Sequence, residues 1–472
     1  MTSNNKTLNI YLLTMINLAT ILSIRNWPIS AQYGFASIFF ILVASMILLI
    51  PTSLVAAELA TGWPERGGIY VWVKEALGEK LGFLAVFLLW IENVVWYPMI
   101  LSFVASTLSF VFNPKLADNA IYTYCIVLIV FWVSTLVNSK GIKLSGWISS
   151  IGVTLGTLFP GAIIILIGAF WYFSGRKIEI NMDLSNFFPK LSSLSDFTFL
   201  AGIMLGFAGM EMSSVHANDV ENPQKNYPKA ILYSSLVIIL FSILGALTIA
   251  MIIPQEEISL TSGGIAVVYH VFSMFNLSQF VPVIALLITI GALASVSTWV
   301  AGPCRGLLAA AQEGDLPEIF RKLNKHGMPT NMMIAQGIIV TLLATIILIA
   351  PSVSSSFWML IALTSQLYLL MYILMFIAGI VLRYKRPDKF RAYKVPLKNI
   401  GMWIVGCIGI VGSLFGFLIG FIPPSQLGTT DLVLYEGFLI GGCIIFCMVP
   451  FAILKWQRKS MNQNKTNAAT KK

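Results

Sequence analysis

Stretches of apolar residues long enough to cross a bilayer recur along this chain, separated by short polar loops. About twelve can be marked, at 8–32, 35–61, 82–112, 120–138, 146–173, 195–217, 228–253, 278–312, 331–350, 357–384, 401–421 and 434–455. About 20 such residues wound as an α-helix span a hydrocarbon core of about 30 Å. Backbone inside lipid must satisfy its own hydrogen bonds, so these stretches predict helices. The pattern predicts an all-α polytopic membrane protein of about 12 transmembrane helices.

Two stretches break the pattern. The first carries Ser23-Ile24-Arg25-Asn26-Trp27-Pro28, a proline and a charge inside an apolar run. The sixth carries Leu205-Gly206-Phe207-Ala208-Gly209-Met210-Glu211, two glycines and a carboxylate. Unwound backbone and ionisable groups at that depth persist only when buried in protein or lining a watery cavity. Breaks at matching places in two five-helix halves are the mark of transporters built from inverted repeats, with the solute held between the breaks. The expected organisation is a short inner terminus at 1–7 and a ten-helix core at 8–384, with repeats near 8–173 and 195–384. Two additional helices follow within 401–455, then a polar, disordered tail at 456–472. Two stretches outside the spans are read as surface helices, one from Ala310 to Arg321 and one from Ile265 to Phe275.

Composition agrees. The 472 residues are 57% hydrophobic and 11% charged, against about 25% charged in an ordinary soluble domain. Net charge is +10, but its placement points away from nucleic acid. The outer loops hold only Lys115, Arg176, Lys177 and Lys190, and the densest cluster runs from Arg383 to Lys398 between the tenth and eleventh stretches. That asymmetry is the positive-inside bias and predicts both termini in the cytoplasm, in a bacterial inner membrane, with the basic loops near lipid headgroups. The 5 cysteines and 3 histidines show no ligand spacing, so neither metal, cofactor nor disulfide framework is expected.

Several motifs, in order and across nearly the whole chain, resemble the amino acid–polyamine–organocation transporters. Ala57-Glu58-Leu59-Ala60 followed by Pro64-Glu65-Arg66-Gly67-Gly68-Ile69-Tyr70 resembles that family's exit from span two. Gly206 to Glu211, continuing to Glu221-Asn222-Pro223, resembles its span six. Gly302-Pro303-Cys304-Arg305-Gly306, then Glu313-Gly314-Asp315-Leu316-Pro317, resembles its span eight and exit loop. Within the family the chain is most similar to the glutamate/γ-aminobutyrate antiporters, although Ser295 stands where those carry a glutamate. The resemblance implies a LeuT-like fold with broken helices 1 and 6. Spans one, two, six and seven are expected to rock against three, four, five, eight, nine and ten.

Candidate residues follow. Arg25 either takes a substrate carboxylate bidentately or forms an ion pair with Glu92 or Glu211. Asn93 matches a position that the resemblance places in the pocket, with Glu92 beside it as a cation or proton partner. Glu211 either couples proton binding to gating or accepts N–H bonds of the unwound segment. Gly206, Phe207 and Gly209 offer backbone to a ligand, and Ser23 lies beside the first break. By the resemblance Trp299 covers the substrate's aliphatic stem, with Phe207 completing an aromatic lid; Ser295 and Ser297 line the wall or bond their own helix. The reading is an amino acid antiporter exchanging a small amino acid for a related amino acid or amine. A proton-coupled importer is the alternative in its class; a channel or membrane enzyme is the alternative outside it. A homodimer is compatible with this reading.

Overall fold

The computed structural model of the protein describes residues 9–64, 67–140, 152, 154–189, 194–212, 220–424 and 432–469. Among these, ten helices are long and apolar enough to cross a membrane. The two predicted stretches with no uninterrupted span are 8–32 and 195–217, those in which charge and glycine disturb the apolar run.

The first stretch forms α1 (Ile10–Ile21) and α2 (Trp27–Ala31), joined by a tight turn at Ile24–Asn26. Between them Leu22 and Ser23 are extended, with ψ of 120° and 129°. Pro28 therefore does not make the break. It occupies the first turn of α2, where its missing N–H has no helical acceptor anyway. Next come α3 (Ser37–Ala44) and α4 (Ile50–Gly62), continuous through a π-turn at Ser45–Leu49, and a short amphipathic α5 (Ile69–Leu77). Then α6 (Glu79–Phe112) and α7 (Ala120–Asn138) follow, with α8 (Phe159–Phe173) as the wound end of the fifth stretch.

The sixth stretch is α9 (Thr198–Gly206). It stops where Phe207 leaves the helical region, and Gly209 adopts φ 118°, which side-chain-bearing residues rarely enter. Residues 213–217, the end of the predicted sixth span, lie outside the described residues. The chain continues through α10 (Pro223–Ile252), the short apolar α11 (Gly263–Met274), α12 (Val281–Glu313), α13 (Thr330–Leu343) with the short α14 (Ile346–Ile349), α15 (Val353–Lys385), α16 (Lys398–Ile419) and α17 (Leu432–Ala469).

Burial orders these helices. The apolar window of α6 is 89% buried and that of α15 72%, whereas that of α17 is 22% buried. The third and tenth spans thus form the centre, and the last span presents most of its surface outward.

Two expectations need correction. No continuous surface helix runs from Ala310 to Arg321: Gly314, at φ 106°, caps α12 with its N–H on Ala311 O, and only a short turn at Glu318–Arg321 follows Pro317. The polar tail expected to be disordered continues α17 to Ala469; beyond Pro450 no proline or glycine stops the helix there. The expected helix between Ile265 and Phe275 is present as α11.

Candidate functional site

The two breaks face each other across one internal cavity, with about 60 Å³ open to water. A single water needs about 10–15 Å³ by that measure, so a small polar solute has room. The wall includes Ser23, Ile24 and Arg25 from the first break, and Leu205, Gly206 and Ala208 from the sixth stretch. Glu92, Asn93 and Trp96 come from α6, Gly156 and Thr157 from the fifth stretch, Ser295 and Trp299 from α12, and Tyr368 from α15.

Arg25 dominates the electrostatics. Its side chain is buried and its nitrogens find only neutral partners: Asn26 Oδ1 at 2.9 and 3.2 Å and the sulfur of Met99 at 3.4 Å. The guanidinium also lies over the Trp96 ring, 5.4 Å from its centroid. No carboxylate among the described residues reaches ion-pairing distance of it, so the ion pair with Glu92 or Glu211 is not formed. A buried cation without an anion is costly, and this one stands at the cavity wall.

Asn26 links the breaks, donating from Nδ2 to Gly206 O at 3.4 Å. A Cβ on Gly206 would lie 2.8 Å from that Asn26 nitrogen. A side chain at this position would displace the Asn26 amide that joins the two breaks.

Glu92 and Asn93 sit together on α6, with Asn93 Nδ2 donating to Glu92 Oε1 at 2.5 Å. Glu211 is occupied by partners of its own. Tyr368 donates to its Oε1, and Tyr372 to its Oε2 at 2.6 Å. The two phenol rings stack, with centroids 4.8 Å apart and planes 8° from parallel. Tyr372 Oη in turn accepts the Gly209 N–H at 2.8 Å. Glu211 is thus tied to span ten through two phenols.

Phe207 and Gly209 are off the cavity wall. Phe207 is buried in the packing and Ala208 takes the wall position; the Gly209 amide is satisfied by Tyr372. Of the two aromatics expected to cover the substrate, Trp299 lines the wall and Phe207 does not. Trp299 reaches the wall beside Trp96, the ring centroids 6.2 Å apart. Trp96 had a readable signal, since it follows Glu92 and Asn93 by four and three positions and so shares their helix face. Tyr368 had none, because its place depends on how span ten packs against span six. Ser297 exchanges hydrogen bonds with Asn138 at 3.2 and 3.3 Å, while Ser295 faces the cavity.

A family model for amino acid permeases matches residues 8–446. The chain belongs to the amino acid permease family. This permease is 43% identical over 455 residues to an uncharacterized transporter of Legionella pneumophila, covering 96% of this chain and 98% of that one. It is also 33% and 34% identical over 462 residues to two glutamate/γ-aminobutyrate antiporters of Lactococcus lactis, covering 97% of this permease and 92% of each relative. The permease is thus a multi-pass membrane protein of a transporter family.

Proposed function

We propose that this permease is an antiporter, exchanging a small amino acid that carries at least one carboxylate for a related amino acid or its decarboxylated amine. Arg25 carries this reading: a buried guanidinium at the wall of a solute-sized cavity, with only neutral partners, gains most from an anionic guest. A substrate carboxylate would meet the Arg25 fork, and its ammonium would lie toward Glu92 and Asn93. Trp96 and Trp299 would flank the aliphatic stem. Ser23, Gly206 and Ser295 complete the pocket, whereas Phe207, Gly209 and Glu211 shape the break behind it. The names of the Lactococcus lactis relatives favour glutamate and γ-aminobutyrate as the first pair to test. The positive-inside bias favours an inner-membrane orientation with both termini cytoplasmic.

Proteoliposomes decide it. Uptake of labelled glutamate should require internal glutamate or γ-aminobutyrate and recover the label unmodified. Uptake that ignores the internal pool and follows an imposed pH gradient would overturn exchange in favour of proton-coupled import.

A further inference from the structure

We infer that the segment 386–397, with the first turn of α16, is a binding surface for anionic lipid headgroups of the inner leaflet. The inference rests on the inside orientation proposed above. Segment 386–397 joins α15 to α16 as a strap with a turn near each end, and its inward residues are pinned. Buried Arg391 sets Nε 3.4 Å from Glu58 of α4, and Arg383 sets Nη2 2.6 Å from the same carboxylate. The Val395 amide donates to Glu58 at 2.7 Å, and the Tyr393 amide to Thr61 Oγ1 at 3.1 Å. Arg391 also lies over the Trp63 ring, 5.1 Å from its centroid.

Arg391, Tyr393 and Val395 are buried, whereas Lys394 and Pro396 beside them are exposed. Lys394 and Lys398 are exposed together with Phe390, Leu397 and Ile400, the last three 75%, 72% and 70% exposed; Lys389 is exposed too, with its ammonium 5.7 Å from the Trp63 ring centroid. Nearby Lys385 and Arg386 are engaged by Glu75. The three lysines have no carboxylate within ion-pairing distance among the described residues. Leu397 and Lys398 both adopt left-handed backbone, φ 63° and 56°.

The identity of the occupant follows from what comes next. Helix α16 is apolar enough to enter the bilayer, so its first turn stands at headgroup depth. There the exposed indole of Trp403 donates to the Tyr384 hydroxyl at 2.8 Å, an aromatic pair suited to the interface. Lysines interleaved with large apolar side chains at that depth match phosphate above acyl chain. A soluble acidic protein would leave Phe390, Leu397 and Ile400 unmatched.

The test uses the purified full-length protein in neutral detergent, titrated with phosphatidylglycerol or phosphatidylcholine and read by thermal shift and native mass spectrometry. Phosphatidylglycerol should stabilise the wild type and phosphatidylcholine should not. The variant K394Q/K398Q, changed only at exposed positions, should keep its basal melting temperature and bind phosphatidylglycerol about thirtyfold more weakly, as expected for two lost near-surface charges of about 1 kcal/mol each. The variant F390S/L397S, with charge intact, should also lose affinity. Unchanged phosphatidylglycerol affinity in the lysine variant would overturn the proposal. So would an equal shift from inorganic phosphate, which would mark a plain anion site. Orientation is read separately, by an impermeant thiol reagent on Lys394→Cys in a chain whose cysteines are replaced by alanine. Labelling from outside intact cells would remove the inner leaflet while leaving headgroup binding itself standing.

Discussion

Tyr372 joins Glu211 and Gly209 through one hydroxyl, donating to the carboxylate at 2.6 Å and accepting the amide at 2.8 Å. The bond runs from span ten to the unwound part of span six, where water cannot substitute. Removing the hydroxyl leaves a buried N–H without its acceptor and a carboxylate short of one donor. Each such loss costs about 1–3 kcal/mol, more for the charged group. Tyr372→Phe should lower the melting temperature measurably, and Glu211→Ala should lower it further because both stacked tyrosines then lose their acceptor. A Tyr372→Phe protein that melts like the wild type would show that this linkage does not hold the break.

At the cavity wall the expectation is about chemistry rather than stability. Arg25→Gln removes the cation but keeps a polar side chain, and it should abolish stabilisation by the transported amino acid while leaving the unliganded protein folded. Arg25→Lys keeps charge and loses the planar fork, so ligand affinity should fall at least about tenfold, the scale of one lost charge-assisted bond. Ligand-dependent thermal shifts across both variants check this. Retained affinity in Arg25→Gln would relieve Arg25 of any part in binding.

How much of this was readable beforehand varies by residue. The two breaks were legible because Arg25 and the Gly206–Glu211 run violate the apolar pattern of a span, and that violation needs no knowledge of neighbours. Trp299 was legible only through its motif. The roles within a break were less so. Phe207 and Ala208 are adjacent, and which of them faces the cavity depends on where α9 ends. Tyr368 and Tyr372 lie more than 150 positions beyond Glu211, and a single sequence carries no mark of that pairing. Likewise, Glu58 was noted only as part of a motif. Its ion pairs with Arg383 and Arg391 depend on a strap folding back over α4.

The crossing of the fifth and eighth spans gives a prediction independent of any ligand. A Cβ on Gly156 would lie 2.2 Å from Gly291 N, and one on Gly152 would lie 2.2 Å from Ala294 Cβ. Backbones this close admit no side chain, as in small-residue helix crossings elsewhere in membranes. Gly156→Ala should destabilise the protein by about 1–3 kcal/mol, the usual scale of overpacking. Gly437 has nothing within 4 Å of its would-be Cβ, so Gly437→Ala is the matched control and should leave melting unchanged. Equal behaviour of the two variants would contradict the crossing.

Outside the membrane, one phenol serves two acids. Tyr70 Oη of α5 lies 2.8 Å from Asp315 Oδ2 and 3.0 Å from Glu313 Oε2, and Lys74 pairs with Glu313. Burial pushes the Asp315 carboxyl above the usual carboxylate range, against the opposing effects of the Tyr70 bond and of Lys74. A raised folded-state pKa means the folded protein holds this proton more tightly than the unfolded chain does. The associated stability is fully present below the ordinary aspartate value of about 3.9 and is lost as pH rises through the folded-state value. Asp315→Asn mimics the protonated carboxyl, so it should flatten the melting temperature across the mildly acidic range just above 3.9 and be more stable than the wild type at neutral pH. Melting curves of both proteins from acid to neutral pH check the sign. A variant whose pH dependence matches the wild type's would exclude Asp315 as the titrating group.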